Sequence, residues 1–157
     1  MKGLMELANE DSQLVVASSQ LVDITGYIHQ ARGSMANGHR MSMGRVPYTE
    51  YWLMRDNQYV GAIQIRHEPS GRHQNLKSHI YYQIIPSERG KGYGKMILKL
   101  GLQKARRLGL REVLLTTDSA NSRSRSIIET CGGLLLKQTT VPDSKTSMLQ
   151  YKINLNA

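Results

Sequence analysis

From Pro86 to Gly94 the chain reads Pro86-Ser87-Glu88-Arg89-Gly90-Lys91-Gly92-Tyr93-Gly94, with a β-rich run before it and an amphipathic helical pattern after it. This stretch constrains the fold more than any other. Glycines at positions 90, 92 and 94 let several backbone N–H groups approach one small anion, because no Cβ stands in the way. A helix opening just behind them adds its own unpaired N–H groups and the positive end of its dipole. Arg89, Lys91 and Lys95 put full charges at the same place. A strand, a basic glycine turn and a helix in that order predict a pyrophosphate cradle.

The rest of the chain supplies the frame. Gln13 to Ser18 reads as a strand and Gln20 to Arg32 as an amphipathic helix with Leu21, Ile24, Tyr27 and Ile28 on one side. Gly33 to Pro47 has no period and reads as a loop, with Met35, Met41, Met43 and Met54 in or beside it. Two strands follow, Glu50 to Arg55 and Tyr59 to His67, joined by Asp56-Asn57-Gln58 as a hairpin. Glu68 to Lys77 is a polar connection, and His79 to Ile85 a strand that stops at Pro86. Lys95 to Leu108 is a helix whose stripe is Ile97, Gly101, Ala105 and Leu108, with Gly109 as its stop. Glu112 to Thr117 is an apolar strand. Asn121 caps a short helix, Ser122 to Thr130, ended by Gly132-Gly133. Leu134 to Gln138 and Met148 to Leu155 are a closing strand pair.

A helix between the strands at residues 79 and 112 predicts that they pair in parallel, whereas the hairpins pair antiparallel. The expected architecture is α/β: a mixed, mostly antiparallel twisted sheet with a central parallel, splayed strand pair and helices on both faces. The 157 residues suit one domain, and 39% hydrophobic residues suffice for a core. No apolar run is long enough to span a bilayer, and the start Met1-Lys2-Gly3-Leu4-Met5-Glu6 lacks a signal-peptide core. One cysteine, Cys131, excludes an internal disulfide, so a reducing cytoplasm is expected. No His, Cys and acidic residues fall at metal-ligand spacing, so no metal is expected.

The formal charge of +9 suits an anionic ligand such as a nucleotide cofactor. It would suit RNA as well, but Phe is absent and the tyrosines do not interleave with the basic cluster at Lys99, Lys104, Arg106, Arg107 and Arg111. That cluster reads first as the solvated face of a helix.

Two familiar cradles fail. A P-loop needs Gly where this chain has Arg89 and a hydroxyl where it has Met96. The dinucleotide fingerprint needs Gly-x-Gly-x-x-Gly, not Gly-x-Gly-x-Gly. Arg89-x-x-Gly92-x-Gly94 instead resembles the Arg/Gln-x-x-Gly-x-Gly/Ala signature of the GNAT superfamily of acetyl-CoA-dependent N-acetyltransferases. From about Val46 to Leu155 the features arrive in that family's order, and Gly61-Ala62-Ile63-Gln64-Ile65-Arg66-His67 is similar to a bacterial branch of predicted acetyltransferases.

The resemblance implies a single acetyltransferase domain over residues 1–157, with acetyl-CoA as co-substrate and a small-molecule or peptide amine as acceptor. It leaves room for a homodimer. It implies a V-shaped gap between the strands at 79 and 112, with the pantetheine arm paired to the backbone of Ile84 and Ile85. On the same footing Arg89, Gly90, Lys91, Gly92, Tyr93, Gly94 and Lys95 bind pyrophosphate, and Asn121 and Ser124 contact the cofactor arm. Ile84 or Ile85 would supply an oxyanion-binding N–H. Acceptor pockets in the family come from the N-terminal segment and the loops around 33–47 and 68–77.

Direct attack of an amine on a thioester needs a base, an oxyanion donor and an acid. His79 stands near the position of the family's strand glutamate and has an ordinary pKa near neutrality. His67 and Glu68 are alternatives, and an ordinary edge residue is the plainer account of His79. The family's helix tyrosine is replaced by Ile128, which leaves Tyr82, Tyr151, Ser126 or water as the acid. No His neighbours Cys131 in sequence, so a structural thiol is expected there. The missing tyrosine and strand glutamate keep a second possibility open: a CoA-binding or sensing module of weak or absent activity.

Overall fold

Alternating burial builds the first half of the molecule. In a computed structural model, which describes residues 46–56, 58–71, 76–141 and 146–156, β1 (Tyr48–Arg55), β2 (Gln58–Ser70) and β3 (Ser78–Ile84) form an antiparallel sheet in the order β1-β2-β3. Opposed residues of an antiparallel pair share a face and successive ones alternate. The register therefore sets Tyr51, Ile63 and Tyr82, then Leu53, Gly61 and Ile84, across one face. Glu50, Gln64 and Tyr81, then Trp52, Ala62 and Gln83, cross the other. The strand and helix expected at 13–18 and 20–32, and the loop expected at 33–47 as far as residue 45, lie outside the described residues. The connection expected at 68–77 is shorter than its polarity suggests, because β2 continues to Ser70, which pairs with Ser78.

The first face is the core side. Helix α1 (Tyr93–Arg107) buries Ile97, Leu98, Gly101 and Ala105 against it, an i, i+4 stripe with one flanking residue. Gly101 sits so close to Ile63 that a β-carbon there would collide with the Ile63 side chain. The last turn carries Lys104, Arg106 and Arg107, which suits the negative end of the helix dipole. The helix starts two residues before the expected Lys95. Leu108, expected on the buried stripe, is the exposed C-cap.

The second half repeats the plan. Strands β4 (Glu112–Asp118), β5 (Leu134–Thr140) and β6 (Ser147–Asn154) form an antiparallel sheet ordered β4-β6-β5, and α2 (Ser122–Thr130) links β4 to β5. Val113, Leu115, Ile128, Leu149, Tyr151 and Ile153 join Ile63, Ile65, Ile80, Ile97 and Leu98 in one core. Each such aliphatic side chain stabilises the fold by about 1.5–3 kcal/mol through burial. Both described helices contribute to that core. The helices expected on both faces of the sheet include the one over residues 20–32, which lies outside the described residues.

One expectation needs correction. The crossover predicts a parallel ladder between β3 and β4, yet the described strands form two three-stranded antiparallel sheets with no ladder between them. Side chains of β3 make the junction instead. Ser78 Oγ shares its proton between the Ile80 carbonyl at 2.9 Å and the Leu114 carbonyl at 3.2 Å, and the Leu114 N–H donates to His79 Nδ1 at 3.0 Å. A buried N–H must find an acceptor somewhere. Here the imidazole takes the place a neighbouring carbonyl would hold in a ladder.

Candidate cofactor site

The turn after β3 is assembled from backbone. The Ile85 N–H donates to Val60 O at 3.0 Å, and a single 3₁₀ turn, Pro86–Glu88, closes with Arg89 N–H on Pro86 O at 3.2 Å. Gly90 and Gly92 follow with φ of +78° and +85°, the left-handed region that favours glycine. The first intrahelical bond of α1 runs from Met96 N–H to Gly92 O at 3.1 Å. The N–H groups of Gly92, Tyr93, Gly94 and Lys95 thus precede the helical ladder. The first turn of α1 holds no acidic residue.

A cleft of about 420 Å³ opens beside this turn. Tyr82, Ile84, Arg89, Gly90 and Gly94 line it from the β3 side, and Asn121 and Ser124 from α2. These seven are the residues of the sequence-based set that the structure brings together. The others stand apart from the lining. Ile85 packs on the outer face with Tyr59 and Ala62. Lys91 pairs with Glu88 at 3.2 Å, and the Tyr93 hydroxyl accepts from Arg55 Nη1 at 2.8 Å. Gly92 caps α1 and Lys95 is exposed.

Three residues organise the cleft. Because Ile85 N–H is spent on β2, the alternation of the ladder turns the N–H and C=O of Ile84 the other way, toward β4. Arg89 Nε donates to that carbonyl at 2.9 Å, fixing the end of β3. Tyr82 reaches α2, its hydroxyl 3.4 Å from Ser124 Oγ. Burial pushes the Tyr82 phenol up, so it stays protonated at neutral pH. Asn121 Oδ1 accepts the Ser124 N–H at 3.0 Å, so it caps α2 while facing the cleft.

His79 belongs elsewhere. It is buried, and with Nδ1 accepting from Leu114 the neutral ring carries its proton on Nε2. Desolvation lowers its pKa, Glu112 opposes that and Arg66 adds to it. Three positions from Tyr82, it sits on the opposite face of β3 and about 10 Å along the strand. His67 binds Thr49 Oγ1 through Nε2 at 2.9 Å and, with Glu68, lies near the far end of β2 from Gly61, the partner of Ile84. The Tyr151 hydroxyl donates to Glu129 at 2.8 Å at the edge of the core. Burial raises the Cys131 thiol, and Ile128 is buried.

Gln83 and Arg123 also line the cleft and Arg55 braces the turn beside it, none of them expected from the sequence. Arg123 lines the cleft from the first turn of α2, which carries no acid. A basic residue at the positive end of a helix is unfavourable without an anion, and that was a legible signal. Arg55 ends β1 and reaches Glu88 and Tyr93, a tertiary contact with no local trace. Gln83 lines the cleft from the outer face and is seen only once the register is known.

The chain belongs to the GNAT acetyltransferase family: the family model described as an acetyltransferase (GNAT) domain matches residues 9–133. It is therefore an acyltransferase domain of an acetyl-CoA-dependent family. No curated protein matches it. Among solved structures it is similar to yncA from Salmonella typhimurium, solved with its cofactor acetyl-CoA, at 15% identity and a TM-score of 0.64 over 85% of this chain and 75% of that one. An N-acetyltransferase from Staphylococcus aureus matches at 14% identity and 0.62, over 85% and 78%. A ribosomal-protein-alanine N-acetyltransferase from Brucella melitensis matches at 13% and 0.60, over 84% and 78%. At these identities the likeness is one of fold.

Proposed function

We propose that the protein transfers the acetyl group of acetyl-CoA to a primary amine by direct attack of the amine nitrogen on the thioester carbonyl. The observation that carries this is one continuous cleft, from the helix-start residue Gly94 and the turn residues Arg89 and Gly90 to Tyr82 and Ile84. The residues fit the cofactor: glycines at 90 and 92 leave open space where a β-carbon would stand, and the N–H groups ahead of Met96 face no acid in their turn. Arg89, Gly90, Gly92, Gly94, Lys95 and Arg123 would hold the diphosphate, with Lys91 shared with Glu88. Ile84, Asn121 and Ser124 would hold the pantetheine arm in the gap between β3 and β4.

Bound acetyl-CoA supplies an activated acetyl group. The chain supplies the rest. The outward N–H of Ile84 steadies the charge that develops on the carbonyl oxygen. The protonated Tyr82 phenol, oriented by Ser124, gives a proton to the departing sulfur. His79 holds β3 to β4 at the closed end of the gap, and the amine loses its proton to solvent or to a group on the acceptor side.

Ile128, buried where the family tyrosine would stand, favours the competing account of a CoA-binding module without transfer. A thiol-release assay on a panel of primary amines, run beside acetyl-CoA calorimetry, separates the two. Heat with release supports transfer; heat without release supports the module; no heat removes both.

A further inference from the structure

A second cavity, of about 370 Å³, lies at the closed end of the gap, and Arg66, Ser78, Tyr81, Thr116 and Met148 help to line it. Arg66 is half-buried there. Its Nη1 donates to the carbonyls of Ser70 at 3.3 Å and Ser78 at 3.2 Å. Ion pairs among the described residues join Arg55 to Asp56 and Glu88, Lys91 to Glu88 and Lys152 to Glu112; none involves Arg66. A guanidinium carries five N–H donors, and among the described residues the hydrogen bonds of Arg66 run from Nη1 alone. Burial lowers the Arg66 pKa with only the Tyr48 hydroxyl opposing it. A partly desolvated cation with no carboxylate partner among the described residues is costly, and an anion entering the cavity would offset that cost through bidentate hydrogen bonds.

The cavity adjoins the cofactor cleft. Tyr81 lines the first and Gln83 the second, and the Tyr81 hydroxyl donates to Gln83 Oε1 at 3.2 Å. Both side chains stand on the outer face of β3. On the neighbouring strand Arg66 is four residues from Ala62, which opposes Gln83; that separation is about 13 Å of strand. An amine arriving at Gln83 and an anion held by Arg66 would therefore stand about that far apart.

We propose that this cavity is the acceptor subsite and that it takes an amine whose far end carries a carboxylate bound by Arg66. The proposal rests on the transfer reading above and adds the substrate class. An α-amino acid, whose amine and carboxylate share one carbon, is too short to reach both ends. About four extended residues of peptide, or an ω-amino acid of similar length, span the distance.

Tetraglycine and tetraglycine amide, identical except for the terminal charge, are the probes. Calorimetric titrations are run with and without saturating CoA. Tetraglycine should bind at least tenfold more tightly than its amide, with the preference abolished in Arg66→Gln and partly kept in Arg66→Lys. Equal binding of the two peptides, binding of neither, or a preference that survives Arg66→Gln would overturn the proposal. Should Arg66→Gln fail to fold, the acid-against-amide comparison in the unaltered protein decides alone. Loss of the transfer reading shows separately, as absent acetyl-CoA heat, while the titrations without CoA still judge the subsite.

Discussion

His79 accepts the Leu114 N–H at Nδ1 from a buried position, so protonating the ring costs that bond and places a charge where solvation is poor. Its folded pKa lies below the ordinary value, with desolvation as the main cause. The unfolded chain therefore takes the proton more readily. Stability from this residue is complete above the unfolded pKa of about 6.5 and declines as pH falls through it toward the folded value. Urea denaturation between about pH 5 and 8 should show that decline. His79→Ala should flatten it while costing about 1–3 kcal/mol, because the Leu114 N–H is left without a partner. A variant that keeps the same pH slope would show that the joint between β3 and β4 does not titrate through His79. Tyr82 predicts the complementary pattern. Tyr82→Phe keeps the ring and removes the phenol, so kcat should fall by about 10²-fold or more with acetyl-CoA affinity nearly unchanged. An unaltered kcat would assign the sulfur's proton to another donor.

At the scale of the element, the turn between β3 and α1 makes the strongest demand on sequence. Gly92 holds φ of +85° with nothing within 4 Å of the point where a β-carbon would stand, so Gly92→Ala carries a conformational cost and no collision. That cost is about 1–2 kcal/mol, visible in denaturation, and relaxation of the turn should also weaken acetyl-CoA binding in calorimetry. Undiminished affinity would separate the glycine from the cradle. The outer strand of the second sheet is exposed in a different way. Leu134, Leu135 and Leu136 on β5 are 62%, 54% and 49% exposed, an apolar edge of the kind that pairs with other chains. Leu135→Lys should reduce concentration-dependent association in light scattering, and equal scattering would acquit the edge. What the sequence could reveal follows the same division. The turn, α1 and the Asn121 cap are local, written in glycine spacing, an i, i+4 stripe and one side chain, and they were readable. The junction of β3 and β4 is tertiary: a crossover helix predicts a ladder, and although the family resemblance implies a gap between these strands, nothing near His79 says that an imidazole will take the ladder's place. The place of Arg66 in its cavity and the reach of Arg55 to Glu88 and Tyr93 were unreadable for the same reason, since each arises only when segments distant in sequence meet.

For the whole molecule, a formal charge of +9 makes an anionic ligand favourable before any contact forms. The two halves share one core, so a ligand bound in the gap between β3 and β4 touches both and stabilises their union. A ligand that binds only the folded chain adds about 2.7 kcal/mol at a hundred times its Kd, which for a domain of this size is a rise in Tm of about 5–10 °C. Acetyl-CoA should give that rise in a thermal scan. Salt then divides the gain between two sources. The steering charge is screened over about 10 Å at 0.1 M and about 3 Å at 1 M, whereas the N–H groups ahead of Met96 act at contact distance. Raising salt across that range should cut the association rate steeply and leave a residual Tm rise. A rise that vanishes entirely would make the binding non-specific attraction to a basic surface, and a rise indifferent to salt would remove Arg89, Lys95 and Arg123 from the binding of the diphosphate.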